Sequence, residues 1–228
     1  MEVHTEKHKQ RVRVRDVIIG MSDGLTVPFA LAAGLSGSAI HPSVIIVAGL
    51  AEIAAGSISM GLGGYLAAQS DADVYHNELA REYREIKEVP EMERKEVAEI
   101  FTAYGLSEAD IAPVLNKFEK EPDMWVKFMM AHELFLHEPD PKQAIKSAGT
   151  IALSYIVGGI IPLSPYFFTQ YPHQGLLISI GITLSALVVF GYVKSRYIGI
   201  DPWKGALRTA IVGAIAAGAA FFLARLIS

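Results

Sequence analysis

Five long apolar stretches dominate the pattern of hydrophobic and polar positions along this chain. They are Val17–Leu35, Val44–Leu66, Ala148–Phe168, Gly175–Val193 and Ala206–Ile227. A helix that crosses a bilayer needs about 20 mostly apolar residues, and each stretch approaches that length. In the third stretch, Pro162 and Pro165 predict an early helix end, because proline lacks an amide hydrogen. The pattern therefore predicts an all-α integral membrane protein with five transmembrane helices.

A polar stretch, residues 71–141, separates the second apolar stretch from the third. It holds 18 of the 24 acidic residues and 8 basic residues, a balance of −10, while the remainder of the chain sums to +6. The hydrophobic content of 51% favours a membrane protein with one small aqueous domain over a large soluble enzyme. We divide the chain into residues 1–70 with transmembrane helices one and two, an acidic domain 71–141, and residues 142–228 with helices three to five.

Acidic side chains in this domain recur in two rows, each on one face of a helix. The rows are Glu78, Glu82 and Glu85 on a helix that continues from the second span, and Glu93, Glu96 and Glu99 on the next helix. Like charges at these spacings repel each other, so stacked rows need cations. Arg81, Arg84, Arg94 and Lys95 supply part of that charge, and bound metal ions would supply more.

Proline and capping signals predict four helices in the acidic domain. They are Leu79–Val89, Met92–Tyr104, a helix that opens at Ser107 with Asp110 and runs toward Lys120, and Asp123–His137. The last helix carries Met129, Met130 and Glu133, and a solvated face has no reason to place two thioethers beside an acid. The domain is therefore predicted to bind several divalent ions loosely, as a collector.

Basic residues indicate which ends of the spans face the cytosol. They precede the first span, flank the acidic domain and lie between spans four and five, whereas the connections Ser36–Ser43 and Thr169–Gln174 carry none. The positive-inside rule then makes the N-terminus and the acidic domain cytosolic. The charged N-terminal segment is unlike a cleavable signal peptide, so the first span is predicted to act as its own insertion signal.

Two spans carry a lone acid, Asp23 in the first and Glu52 in the second. An ionisable residue inside a membrane is costly and by default functional. Counted from the cytosolic ends of their spans at about 1.5 Å per residue, Asp23 and Met60 lie roughly 9 Å deep and Glu52 roughly 21 Å deep. These side chains predict an outer and a deeper station along one cation path. A lone methionine is more often packing, so Met60 is the weaker member.

The side chains present restrict the metal chemistry. With no cysteine in the chain, a metal must be held by carboxylate, imidazole, thioether or backbone oxygen. A carboxylate with a thioether suits iron(II) better than magnesium or calcium, which prefer all-oxygen shells. A carboxylate at membrane depth holds either a proton or a metal ion, and this competition would couple metal movement to counter-moving protons.

Small residues recur at helical spacing within the spans and would let helices approach closely. The pairs are Gly20/Gly24, Ser57/Gly61, Ser59/Gly63 and Gly213/Ala217. Two interpretations stay open, packing inside one subunit or an interface between subunits. Since five short helices enclose little volume, we hypothesise a pore at the interface of a homodimer.

Four motifs of the chain resemble the vacuolar iron transporter family. They are Arg15–Gly37 (RDVIIGMSDGLTVPFALAAGLSG), Ala48–Ala68 (AGLAEIAAGSISMGLGGYLAA), Phe128–Glu133 (FMMAHE) and Pro139–Lys142 (PDPK). The first two motifs are long and ungapped, and the resemblance covers nearly the full chain. It implies a five-span homodimer whose translocation path lies between the subunits, with a cytosolic helical metal-binding domain between helices two and three.

The resemblance also implies roles for individual residues. By motif, Asp23, Glu52 and Met60 would line the transport path. The metal ligands of the cytosolic domain would be Glu82, Glu85, Glu93, Glu96, Met129, Met130 and Glu133. The family exports cytosolic iron(II) in exchange for protons, and the choice of iron over manganese, cobalt or zinc is inherited from it.

The sequence thus predicts a secondary active transporter, not an enzyme, without catalytic residues, prosthetic group or nucleic-acid partner. It would export iron(II) from the cytosol into a vacuole, or across the plasma membrane of a prokaryote, for iron storage and detoxification. A membrane-bound ferroxidase is the enzymatic alternative, but di-iron bundles use Glu-x-x-His pairs and the acidic domain has none. A metal sensor is the other alternative, and it leaves Asp23 and Glu52 without a role.

Overall fold

The computed structural model describes residues 2–38 and 41–227, with side chains described from Val12 onward. Within these ranges the chain forms eight α-helices and one 3-10 turn, without a β-strand. The helices are α1 (Glu2–Gly37), α2 (Pro42–Glu88), α3 (Pro90–Ala103), α4 (Glu108–Lys120), α5 (Pro122–His132), α6 (Gln143–Leu163), α7 (Pro172–Ile198) and α8 (Pro202–Ile227), and the 3-10 turn is Ser164–Phe167. The predicted all-α class is confirmed for the described residues.

Five of these helices are long and apolar enough to cross a bilayer, namely α1, α2, α6 with its 3-10 turn, α7 and α8. The α6 helix ends at Leu163, between the two prolines that predicted an early end. The α2 helix has 47 residues. At about 1.5 Å per residue it is about 70 Å long, more than twice the roughly 30 Å hydrocarbon core. Only its apolar first half can therefore lie inside a bilayer.

Contacts divide the chain into two compact units. One is Met1–Leu66 with Ala144–Ser228, which we call the membrane unit, and the other is Ala67–Gln143, the acidic unit. The sequence-based boundaries, 70/71 and 141/142, lie a few residues inside the bounds of the acidic unit. The α2 helix contributes its apolar half to the membrane unit and its charged half to the acidic unit.

Glycines bring α1 and α6 into backbone contact in the membrane unit. A Cβ atom on Gly20 would overlap the carbonyl oxygen of Ile151, and one on Gly24 would overlap that of Tyr155. No side chain larger than hydrogen fits at either position without moving a helix. The contact fixes Asp23, which precedes Gly24, next to the α6 segment around Tyr155.

The other small-residue pairs fall into two groups, those that pack inside the chain and one that is exposed. Gly61 of α2 packs on α6, and Gly213 of α8 packs on Leu187 of α7. Packing inside one chain therefore accounts for the pairs that contain Gly20, Gly61 and Gly213. In the remaining pair, Ser59 is exposed, and a Cβ on Gly63 would meet no atom of the described chain within 4 Å.

The acidic unit has its own hydrophobic core, built from α3, α4, α5 and the charged half of α2. Its buried members are Ile86, Val97, Ile111, Leu115, Phe118, Trp125, Val126, Met129 and Met130. The backbone N–H of Ser107 donates a hydrogen bond to the Asp110 carboxylate at 3.1 Å, and this confirms the capping box at the start of α4.

The last helix of the acidic unit is shorter than predicted. The α5 helix ends at His132 and not at His137. Beyond it the backbone turns through Phe135, whose φ is 54°, and the Leu134 N–H donates to a carbonyl five residues back. Leu134 and Leu136 pack against the hydrophobic core on either side of this turn. Burial of these two leucines favours the turn over further helix.

Candidate metal and proton sites

Glu52 of α2 and Tyr155 of α6 meet inside the membrane unit. The buried Tyr155 hydroxyl donates a hydrogen bond to Glu52 Oε1. The other oxygen, Glu52 Oε2, is buried and has no hydrogen-bond partner among the described residues. This oxygen keeps free lone pairs in an apolar span, where it can accept a proton or contact a cation.

Two glycines make room for Tyr155 between the helices. A Cβ on Gly56, one turn after Glu52, would lie 2.5 Å from the Tyr155 hydroxyl oxygen, and Gly24 packs on the tyrosine backbone. Asp23 is half-buried and directly precedes Gly24. The fold thus places both predicted path acids near one tyrosine. Sequence reasoning missed this tyrosine, although a polar tip in an apolar span was a usable signal.

Met60 is half-buried on α2, eight residues after Glu52. At about 1.5 Å per residue this places it roughly 12 Å along the helix from the acid. Its neighbour Gly61 packs on α6. The structure therefore brings Asp23 and Glu52 to a common tyrosine and leaves Met60 two turns away.

Asp16 is a buried acid that sequence reasoning passed over. The Ser147 hydroxyl of α6 donates to Asp16 Oδ2 at 2.6 Å, and the Arg15 guanidinium lies 3.3 Å from Oδ1. Both oxygens are engaged, which is the usual condition of a structural buried charge. Asp16 therefore holds the start of the apolar part of α1 against α6.

The predicted ligands of the acidic unit lie on α2, α3 and the end of α5. Glu82 and Glu93 are 1% and 3% exposed, and each stands one turn before a residue of the hydrophobic core. Glu85 and Glu96 are half-buried on the same two helices, and Glu133 is half-buried at the end of α5. The Oε2 atoms of Glu82, Glu93 and Glu133 have no hydrogen-bond partner in the described structure. Buried carboxylate oxygens in this condition are costly unless a cation binds them.

Electrostatics shows that the acids of these helices act on one another. Burial, with added repulsion from Glu96, Glu85 and Glu133, raises the pKa of Glu93 to about 7. Burial and then the charge of Glu96 raise the pKa of Glu133. A divalent cation would offset both the burial and the repulsion, because it stabilises the charged form of each acid.

The two methionines lie in the hydrophobic core of the acidic unit. Met129 and Met130 are buried there, and Met129 stands one turn before Glu133 on the same side of the chain. His132 is exposed and stacks on Phe128 with ring centroids 4.6 Å apart, as a surface histidine. Among the described residues, no three acids or histidines are already arranged to hold a metal ion.

Comparisons with known proteins match the chain over almost its whole length. The model of the VIT family matches residues 14–225. Vacuolar iron transporter 1 of Tulipa gesneriana is 54% identical over 226 residues, which cover 99% of this chain and 92% of the relative. Vacuolar iron transporter 1 of Arabidopsis thaliana is 52% identical over 228 residues, covering 100% and 91%. Protein CCC1 of Saccharomyces cerevisiae is 38% identical over 222 residues, covering 94% and 69%.

Proposed function

This chain belongs to the vacuolar iron transporter (VIT) family, and we propose that it carries iron(II) from the cytosol into a vacuole in exchange for protons. Its family and relatives are named as transporters, not as enzymes. The relatives' names support iron as the cargo and the vacuolar membrane as the location. The exchange with protons rests on the side chains of the membrane unit.

The environment of the Glu52 carboxylate carries the proposal. Its Oε1 accepts a hydrogen bond from the Tyr155 hydroxyl, and its Oε2 has no hydrogen-bond partner among the described residues. A bare carboxylate in an apolar span is unstable, so it takes up a proton or a metal ion. Because either cation occupies the same oxygen, bound iron excludes the proton. Alternation of the two at Glu52 and Asp23 would couple iron movement in one direction to proton movement in the other.

Asp23 would line the proposed path beside Glu52 and Tyr155, and Met60 would line it two turns of α2 away. The thioether favours a borderline ion such as iron(II) over magnesium and calcium. Manganese, cobalt and zinc are related divalent ions that the same ligand types accept, and we propose them as secondary cargoes.

The acidic unit would serve as the collector that concentrates iron(II) before transport. Its proposed ligands are Glu82, Glu85, Glu93, Glu96, Met129, Met130 and Glu133. The unpaired oxygens of Glu82 and Glu93 support this role. An oxygen-rich set of ligands with thioethers and no thiolate would bind divalent ions loosely, which suits a collector. The distribution of basic residues supports a cytosolic location for this unit and for the N-terminus.

We place the transport path in a homodimer. Ser59 and Gly63 present a small, open surface on α2, and Met60 lies beside them. Small residues on an apolar helix let a second helix approach closely. A second copy that packs here would bring two half-buried Met60 side chains into one shared path. Crosslinking through cysteines introduced at Ser59 in a membrane preparation tests the dimer, and a chain that stays monomeric would contradict it.

Reconstitution in liposomes tests the exchange. The protein is inserted with iron(II) outside under anaerobic conditions and with a metal-quenched dye inside. We expect uptake only when the lumen is more acidic than the outside, together with a rise in luminal pH as protons leave. Asp23→Asn and Glu52→Gln, which keep the shape and remove the charge, should stop both signals. Uptake that persists after a protonophore collapses the gradient would refute the exchange.

Two further variants separate the path from the collector. Asp201→Asn changes an exposed acid in the turn before α8, and its uptake should match that of the wild type. Combined Gln substitutions at Glu82, Glu85 and Glu133 should raise the iron concentration needed for half-maximal uptake more than they lower the maximal rate.

Normal metal tolerance of cells that carry Asp23→Asn would instead favour a sensor, in which the membrane helices only anchor the acidic unit.

A further inference from the structure

One cation lies among the proposed collector ligands, the guanidinium of Arg81 on α2. Its Nη1 is 2.9 Å from Glu78 Oε2, its Nε is 3.2 Å from Glu85 Oε2, and its Nη2 is 3.8 Å from Glu82 Oε1. The partners stand three residues before, four residues after and directly after the arginine. A planar guanidinium with five donors is suited to such a fork, whereas an ammonium is not.

Two of these partners, Glu82 and Glu85, belong to the proposed collector ligands, and Glu78 does not. The charge of Arg81 also lowers the pKa of Glu93 on α3 and of Glu133 at the end of α5, against the burial that raises both. One arginine thus contacts two of the acids assigned to the metal and influences two more. An iron(II) ion bound by the same carboxylates would lie in the region that the guanidinium now neutralises.

The other basic residues that sequence reasoning considered have different partners. Arg94 forms an ion pair with Glu119 of α4, and Lys95 forms one with Glu99. Arg84 is exposed on α2. Within the described structure, Arg81 is therefore the basic residue best placed to stand in for a metal ion.

We propose that Arg81 occupies the collector site when no metal is bound and that an incoming divalent cation displaces its guanidinium into water. This inference rests on the proposed function, because it requires these carboxylates to bind metal. The Arg81 side chain is 42% exposed, so it can swing into solvent without leaving a cavity. Arginine stays charged at any physiological pH, so the displacement has a cost in every turnover and lowers the affinity of the collector.

Substitution of Arg81 tests the displacement against a matched charge control. Arg81→Gln and Arg84→Gln each remove one positive charge from the same helix, and both are made in the full-length protein in detergent. Anaerobic iron(II) titration at pH 7.5 should show about three- to tenfold tighter binding for Arg81→Gln, because no ion pairs must break first. Arg84→Gln should stay within about twofold of the wild type, since it is exposed.

Thermal melting adds a readout that a merely structural arginine would not give. With chelator present, Arg81→Gln should melt below the wild type, because the acids repel without their counter-ion. With saturating iron(II), the two proteins should melt together. A structural arginine would instead lower both melting temperatures equally. Arg81→Lys keeps the charge without the fork, so its iron affinity should lie between those of the wild type and Arg81→Gln, and it serves if the Gln variant fails to fold.

The possible outcomes separate the two proposals. If the wild type binds no iron(II), the collector function fails, and the displacement fails with it. If the wild type binds iron(II) and Arg81→Gln binds it equally or more weakly, the collector stands and the displacement is refuted. Tighter binding by both Arg81→Gln and Arg84→Gln would also refute it, because the effect would then follow from net charge alone.

Discussion

Replacing Tyr155 by phenylalanine removes one hydroxyl group from the membrane unit and leaves the ring in place. That hydroxyl donates the hydrogen bond to Glu52 Oε1, and Glu52 Oε2 has no partner among the described residues. In the Tyr155→Phe variant, the whole carboxylate would therefore lack a donor there. The variant isolates the contribution of a single bond to the proposed transport path.

The size of the effect follows from the chemistry of that bond. A hydrogen bond to a charged group contributes about 1.5–3 kcal/mol, equivalent to about 10- to 150-fold in an equilibrium constant. In the proposed exchange, Glu52 passes through a bare carboxylate between the loss of one cation and the arrival of the next. Tyr155 stabilises that state, so we expect Tyr155→Phe to lower the initial rate of iron(II) uptake by about tenfold or more.

Tyr166 supplies the matched control in the same unit. It is buried, and its hydroxyl is hydrogen-bonded to that of Ser36 at 2.9 Å. Tyr166→Phe therefore also deletes a buried hydroxyl, but one bonded to a neutral partner. The rate of iron(II) uptake by Tyr166→Phe should stay within about twofold of the wild-type rate. Loss of a hydrogen bond between neutral groups costs about 1 kcal/mol, and here that cost lowers the stability of the fold. Initial rates of dye quenching in liposomes compare the three proteins.

Two results would refute the reasoning. Equal rates for Tyr155→Phe and Tyr166→Phe would show that the bond to Glu52 has no special role in transport. A loss of less than about twofold in Tyr155→Phe would also refute it, because a hydrogen bond to a charged group contributes more than that.

Three further predictions concern stability. Gly24→Ala places a Cβ against an α6 carbonyl and should cost about 1–3 kcal/mol by thermal melting, whereas Gly149→Ala meets no described atom within 4 Å and should be neutral or stabilising. The folded-state pKa of Glu93, about 7, lies above its ordinary value of 4.5. The contribution of Glu93 to the free energy of unfolding is therefore fully present below pH 4.5 and is lost as the pH rises to 7. Glu93→Gln should thus stabilise the chelator-treated protein by about 1–3 kcal/mol at pH 7.5 and little at pH 4, and equal shifts at both values would contradict the burial argument. Ser147→Ala removes a donor from the buried Asp16 carboxylate and should cost about 1.5–3 kcal/mol in the same melts, while a neutral result would mean that Asp16 does not hold α1 to α6.

Helical periodicity and proline positions predicted most of the fold, because both depend on neighbours within a few residues. The capping box at Ser107 and the early end of α6 at Leu163 are confirmed. The predicted end of α5 was wrong, because the end of this helix depends on how Leu134 and Leu136 pack against the core. A local pattern does not report such packing.

In the candidate sites, too, patterns among residues close in sequence were predicted, and contacts between residues distant in sequence were not. Periodicity predicts which acids share a helix face, but it does not identify the residue of another helix that packs against that face. Tyr155 lies 103 residues from Glu52, and Ser147 lies 131 residues from Asp16. Both contacts depend on helix packing through glycines, which the small-residue pattern indicated without naming the partners.

The two groups of acids have chemically different partners, and the difference fits their proposed roles. Glu52 is held by the neutral hydroxyl of Tyr155, while Glu82 lies beside the cationic guanidinium of Arg81. A fixed cation at membrane depth would occupy the carboxylate permanently, because the displaced charge would have no water to enter. A phenol orients the carboxylate and leaves its second oxygen to the transported cation. In the acidic unit the guanidinium is partly solvated and free to leave, so a charged partner there can weaken binding without blocking it.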